Sequence, residues 1–163
     1  SNVKNAYILQ RAKKHSIPSV FICHKNKKRS AFDSQVSSVL KKHGVNVVLL
    51  IGFMRILSNK FCREWKNVVL NVHPSLLPKY AGGMDTDIHK NVIKNREKET
   101  GCTVHLVTEY LDEGPVLIQK SCSVDEKETV ASLKKKVQSL EGEALVESIK
   151  LIQKKNVTRS KVK

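Results

Sequence analysis

Two prolines four residues apart, Pro74 and Pro78, fix the end of an apolar strand more firmly than any other feature of this 163-residue sequence. The run Val68-Val69-Leu70 leads into Asn71-Val72-His73. Pro74 has no N–H to give to a sheet ladder, so the strand stops there. Alternate residues of a strand share a face, which puts Asn71 and His73 on one side and Val72 on the other. An amide and an imidazole then stand side by side at the carboxyl end of a buried strand, where open α/β sheets bind their ligands.

The flanking sequence alternates between helix and strand patterns. Residues 5–15 read as a helix with a basic face from Arg11 to Lys14, and Val20-Phe21-Ile22-Cys23 as a short strand followed by a basic loop over 24–29. Phe32, Val36, Val39 and Leu40 have the spacing of a one-faced helix that ends before Gly44. Residues 45–51 form an apolar strand, expected to be buried on both faces as in parallel sheets. Ser58 is placed to cap a short helix running through Trp65. Beyond Pro78 lies a loop over 79–84 with two glycines. A helix over 85–95 then turns Ile88, Val92 and Ile93 inward and leaves His89 on its surface. Strands over 102–108 and 116–124 flank a loop at 109–114. Asp125 and Glu128 have capping-box spacing before a long helix. That helix carries Val130, Leu133, Val137, Leu140, Ala144, Ile149 and Ile152 on one face, with Gly142 as a weak point. The expectation is an α/β fold with a doubly wound, mostly parallel sheet, in one domain over 1–152 with a frayed basic tail over 153–163.

Composition narrows the class. Hydrophobic residues make up 40% of the chain, enough for a packed core. The longest apolar run, 45–54, is interrupted by Asn46 and too short to span a bilayer, and the polar, basic start has no signal-peptide pattern. Cys23, Cys62, Cys102 and Cys122 show no paired spacing and read as reduced thiols in a cytoplasmic protein. The net charge of +15 fits a nucleic-acid partner, an anionic small substrate, or simply lysine-rich solvated faces such as Lys134 to Lys136. The last reading is favoured.

The chemistry gathers at the strand end. An amide side chain can donate to a developing oxyanion, and a histidine can transfer protons near neutral pH. The carboxylate expected to orient His73 is Asp112, in the loop Glu109-Tyr110-Leu111-Asp112-Glu113-Gly114-Pro115. Cys102 and His105 have C-x-x-H spacing, but no second pair completes a metal site and on a strand the two face opposite sides, so no metal is expected. No adjacent motif supports a Cys102 nucleophile. There is no G-x-G-x-x-G and no P-loop, so a glycine-rich phosphate cradle is missing from the sequence.

The string Asn71-Val72-His73-Pro74-Ser75-Leu76-Leu77-Pro78 resembles the signature of the folate-dependent formyltransferases. Gly52-Phe53-Met54-Arg55-Ile56-Leu57 resembles that family's folate-pocket segment. Thr103-Val104-His105 through Asp112-Glu113-Gly114-Pro115 resembles its second active-site loop. The resemblance runs from Ser1 to about Ile152, and Pro74 points to the branch that acts on glycinamide ribonucleotide rather than to the tRNA-modifying or deformylating branches. It implies a Rossmann-like fold and attack by the amine of glycinamide ribonucleotide on the formyl carbon of 10-formyltetrahydrofolate, in purine biosynthesis. In that scheme Asn71 steadies the oxyanion, His73 acts as acid or electrostatic stabiliser, and Asp112 raises the pKa of His73 and helps shuttle protons. Arg29 lines the folate entrance. Met54, Arg55, Ile56 and Leu57 hold the pterin, Thr108, Glu109, Tyr110, Leu111 and Asp112 close over it, and Gln138 and Glu141 meet the ribonucleotide. The family begins with a strand and a Gly-rich loop that this sequence lacks, so the expectation is a fold incomplete at its start. The loop Ala81-Gly82-Gly83-Met84-Asp85 also departs from the commoner Pro-Gly form.

Other readings stand beside this one: a formyltransferase for tRNA or a sugar nucleotide, a nucleic-acid-binding module, or an inactive remnant. Basic residues are not interleaved with aromatics and no RNA motif is present, which argues against nucleic acid. The expected partners are small molecules, with no membrane, and the chain is a monomer or a homodimer.

Overall fold

The computed structural model describes residues 1–160, with side chains as far as Lys154. The sheet is built around β2 (Val69–His73). On one side lies β1 (Val48–Leu50), parallel to it, with Leu50 opposite Asn71. On the other lies β3 (Glu99–Leu106), antiparallel, with His105 opposite Asn71 and Thr103 opposite His73. The fourth strand, β4 (Val116–Ser123), pairs antiparallel with β3, and the order is β1-β2-β3-β4. The α/β class is as expected, but the sheet is mixed, with β1–β2 the parallel pair. The cause lies partly in chain length: the loop 107–115 is too short for the crossover of a dozen or more residues that a parallel β3–β4 pair would need.

Helices cover both faces. Residues Leu70, Cys102 and Val104 pack against Val137, Ala144, Leu145 and Ile152 of α5 (Val130–Ser160). On the opposite face, Val69 packs with Phe61, Cys62 and Trp65, which belong to or follow α3 (Asn59–Glu64), while Val36 and Leu40 of α2 (Arg29–Lys42) close that cluster. By the two-residue alternation Asn71 and His73 lie on this second face, away from α5. Ser58 caps α3 by accepting the Phe61 N–H at 3.4 Å, and its own N–H donates to the buried Asp33 carboxylate at 2.6 Å. The Trp65 indole N–H donates to Ser37 Oγ at 2.9 Å, tying α3 to α2. Two further helices lie among the described residues, α1 (Tyr7–Lys14), which buries no residue, and α4 (Asp85–Lys94), whose Ile88 and Val92 pack with Leu133.

Several local expectations are corrected. Residues 20–23 are not a strand. A strand exists only as part of a ladder, and here the Val20 carbonyl and the Ile22 N–H are taken by Ser1 instead. The strand expected over 45–51 shrinks to Val48–Leu50, half-buried, because it pairs with β2 alone. The cap of α5 is Thr129 rather than Asp125: the Thr129 and Ser132 side chains each accept the other's backbone N–H, at 3.1 and 3.0 Å. His89 is fully buried, not on the surface, beside Asp85, which also pairs with Lys134 of α5. Helix α5 runs on through Ser160 into the stretch read as a frayed tail, and residues 161–163 lie outside the described residues.

Candidate active site

Strand β2 delivers Asn71 and His73 to one place, and the loop 107–115 brings Asp112 to meet them. His73 is 4% exposed. Its Nδ1 lies 3.3 Å from Asp112 Oδ2, and its Nε2 lies 3.0 Å from the Tyr80 carbonyl oxygen. Asn71 Nδ2 lies 3.3 Å from His105 Nε2, which in turn lies 3.5 Å from Asp112 Oδ1. The carboxylate therefore faces both imidazoles, one with each oxygen, and it also accepts the Gly82 N–H at 2.9 Å.

The loop is held in a shape that aims Asp112 inward. Asp112 itself has φ 57°, a left-handed conformation that Asp tolerates better than most residues. A Cβ on Gly114 would stand 1.6 Å from the Leu106 carbonyl oxygen, so only glycine lets the loop return this close to β3. The Leu106 N–H donates to the Pro115 carbonyl at 2.9 Å and closes the loop's neck.

Proton positions follow from these partners. A backbone carbonyl only accepts, so His73 carries a proton on Nε2, donated to Tyr80, and His105 carries one on Nδ1, donated to the Leu106 carbonyl at 3.1 Å. His105 Nε2 stands between Asn71 Nδ2 at 3.3 Å and Asp112 Oδ1 at 3.5 Å: without a proton it accepts one N–H of the Asn71 amide and leaves the second for another acceptor, and with a proton it donates to Asp112. Burial pushes the His73 pKa below the ordinary histidine value, against the opposing pull of the Asp112 charge and the Tyr80 carbonyl. Burial works to raise Asp112, but the hydrogen bonds from His105 and the Gly82 amide, with the charge of His73, outweigh it and hold its carboxyl below the usual range. At neutral pH the pair is thus a carboxylate facing a neutral imidazole whose Nδ1 lone pair points at it. A proton arriving on Nδ1 turns that contact into a charge-assisted hydrogen bond.

A cleft opens over these groups. One wall is Leu50, Phe53, Arg55, Ile56, Leu57 and Cys62; the other is Val107 with Thr108, Glu109, Tyr110, Leu111 and Asp112; Asn71 and His105 form the floor. The lips expose large apolar side chains, Ile56 at 54%, Tyr110 at 69% and Leu111 at 53%. Arg55 stacks over the Phe32 ring at 4.9 Å, and its buried Nε has no hydrogen-bond partner among the described residues. A buried donor left unpaired on a cleft wall marks a place for an acceptor.

Most residues singled out from sequence converge here: Asp112 meets His73 directly and Asn71 through His105, and Asn71, Asp112, Arg55, Ile56, Leu57 and Thr108 to Leu111 line the same cleft. Met54 and Arg29 are exposed and do not line it. Gln138 is exposed on α5, and Glu141 lies beside Cys102 on the face α5 covers, so neither contacts the Asn71–His73–Asp112 group among the described residues. Burial, reinforced by the Glu141 charge, pushes the Cys102 thiol up to about 12, which removes it as a nucleophile. From the sequence, His105 stands out only in the rejected metal spacing and within the 103–115 motif, Gly82 only within the atypical loop 81–85, and Tyr80 not at all. His105 becomes visible only once the β2–β3 register sets it opposite Asn71, and Tyr80 and Gly82 act through backbone groups that side-chain chemistry does not advertise.

Comparison with known proteins adds four findings. A model of the formyl transferase family matches residues 1–149. The chain is 39% identical over 153 residues to the trifunctional purine biosynthetic protein adenosine-3 of Chironomus tentans, covering 93% of this chain and 11% of that protein. It is 38% identical over 125 residues to the phosphoribosylglycinamide formyltransferase of Escherichia coli K12, covering 76% of this chain and 58% of that one. It therefore spans about a tenth of the first relative and less than two thirds of the second. The crystal structure of glycinamide ribonucleotide transformylase 1 from Symbiobacterium toebii superposes with a TM-score of 0.88 at 33% identity, covering 93% of this chain and 71% of that one.

Proposed function

The chain belongs to the formyl transferase family, and from that premise we propose that its cleft transfers a formyl group from 10-formyltetrahydrofolate to the amine of glycinamide ribonucleotide. The observation that carries this reading is the chain of contacts Asn71–His105–Asp112–His73, whose first three members line a cleft with apolar lips and whose last, His73, is buried behind Asp112. That donor set fits the co-substrate's chemistry. A flat heterocycle with polar edges suits apolar walls that hold one unpaired guanidinium N–H, that of Arg55. The folate supplies the formyl group, and the residues of this chain supply the rest.

Asn71 offers its free amide N–H to the oxygen on which negative charge develops as the amine attacks. His73, neutral before reaction, takes the proton that the attacking amine loses as its nitrogen bonds to the formyl carbon, the Asp112 carboxylate 3.3 Å away stabilises the cation, and His73 gives that proton to the folate nitrogen as the bond from that nitrogen to the formyl carbon breaks, ending neutral again. Asp112 stays ionised throughout, held so by His105 and the Gly82 amide. His105, 3.3 Å from Asn71 Nδ2, holds the amide in place at the cleft floor. Arg55, Ile56, Leu57 and the segment Thr108 to Leu111 hold the folate; Arg29 and Met54, both exposed, serve the outer part of the co-substrate, and Gln138 and Glu141 the ribonucleotide. The protein acts on small molecules as a monomer or homodimer in the cytoplasm, and among the described residues no helix is long and apolar enough to cross a membrane.

The test is direct. The protein, incubated with 10-formyltetrahydrofolate and glycinamide ribonucleotide, yields the formylated amine by mass spectrometry, and it yields none with an aminoacyl-tRNA or an amino-sugar nucleotide as acceptor. Formylation of the tRNA or sugar nucleotide in place of the ribonucleotide would move the chain to another branch of the family.

A further inference from the structure

His73 is gripped from two sides, and only one of them is the carboxylate already described. The other is a four-residue turn, 80–83, closed by the Gly83 N–H donating to the Tyr80 carbonyl at 3.1 Å. That same carbonyl accepts from His73 Nε2 at 3.0 Å, and the third residue of the turn, Gly82, gives its N–H to Asp112 at 2.9 Å. A single turn thus touches both members of the pair with backbone groups. Its own placement is not free. Tyr80 has φ 60°, a left-handed conformation that is unfavourable for a non-glycine residue and needs outside support.

The support is a polar anchor on the far side of Tyr80. The Tyr80 hydroxyl donates to Glu97 Oε1 at 3.1 Å and accepts from Asn95 Nδ2 at 3.0 Å. The other oxygen of Glu97 takes Lys79 Nζ at 2.8 Å, and the Lys79 carbonyl accepts the buried Ser75 hydroxyl at 2.5 Å. These residues lie just beyond α4 and just after β2, outside the cleft, and none of them touches Asn71 or Asp112 with its side chain. The network ends on one group that does reach the site, the Tyr80 carbonyl.

We propose that Tyr80 and Glu97 are positioning residues for His73: through the Tyr80 hydroxyl they fix the carbonyl that selects the Nε2–H tautomer and keeps Nδ1 turned toward Asp112. Without the anchor the strained turn relaxes, the carbonyl withdraws, and the imidazole loses the partner that sets its orientation. Three groups face the His73 ring: the Tyr80 carbonyl, the Asp112 carboxylate from the loop 107–115, and His105 from β3. The carbonyl and carboxylate favour the protonated ring and His105 opposes it, so loss of the carbonyl moves the titration of His73 downward.

The experiment follows the His73 ring directly, by NMR titration of the isotope-labelled full protein, alongside turnover with the substrates proposed above, on which only the turnover arm rests. Tyr80→Phe removes the hydroxyl without changing any charge; Glu97→Gln removes the anchor's acceptor charge; Glu97→Asp is the conservative control. The expected result is a downward shift of the His73 midpoint and a loss of turnover of about tenfold or more in Tyr80→Phe and Glu97→Gln, with partial recovery in Glu97→Asp. Unchanged His73 titration in both variants overturns the proposal. Should Tyr80→Phe fail to fold, Glu97→Gln decides alone. Wild-type protein that shows no formyl transfer while the titration still shifts contradicts the proposed substrates and supports this inference.

Discussion

Asn71 and His105 face each other across the β2–β3 ladder, 34 positions apart in sequence, and their side chains meet at 3.3 Å. That contact pins the Asn71 amide, so the proposed oxyanion donor does not have to be ordered when substrate arrives. Asn71→Ala is therefore expected to lower turnover by about 100- to 1000-fold, the usual cost of one such donor. Its melting temperature should stay close to wild type, since the amide is only half-buried. Steady-state rates and a thermal melt on the same sample check both halves.

His105→Ala should reproduce part of that loss by freeing the amide. The outcome expected is a rate between wild type and Asn71→Ala, and the double variant should be slower than Asn71→Ala by less than the loss His105→Ala causes alone, the remainder reporting the His105 contact with Asp112. A double-mutant cycle measures this coupling.

The pH dependence of stability has a definite sign. The folded pKa of His73 is lowered by burial, as is that of the buried His89. For such a group the unfolded chain takes up a proton near pH 6.5 while the folded one does not, so stability is lost as pH falls from about 6.5 toward the folded value. Asp112, also lowered, adds stability that is present above the ordinary Asp value and lost only as pH falls through its lower folded one. Melting temperature is expected to drop between pH 7 and 5, and His73→Gln or His89→Gln should flatten that slope. Melts across a pH series report it.

How far the sequence reaches is clear from where it stopped. Asn71 and His73 were legible because proline ends the strand and a two-residue period fixes the face, both local effects. Asp112 was legible as the carboxylate of a Gly-Pro loop. The sheet's direction was not: antiparallel β3 depends on how the chain returns after α4, and no local pattern records that. Nor was the absence of a strand at 20–23, whose β-branched and aromatic residues read as a strand but lack a ladder partner among the described residues. His89 looked like a surface residue because one polar side chain in a helix gives no sign of the Asp85–Lys134 pair that roofs it.

Gly114 offers a test of the loop that carries Asp112. A methyl group there would collide with the Leu106 carbonyl, so Gly114→Ala must push the loop away from β3. The expected cost is about 1–3 kcal/mol of stability, read as a lower denaturant midpoint, together with a fall in turnover as Asp112 moves off His73.

In the reaction proposed above, His73, paired with Asp112, handles the proton. A single-turnover formyl-transfer rate for His73→Ala against wild type, at saturating substrates and neutral pH, tests it most directly. The account predicts a rate lower by about 100-fold or more, with substrate still bound. A His73→Ala protein that transfers the formyl group at a rate near wild type would contradict it.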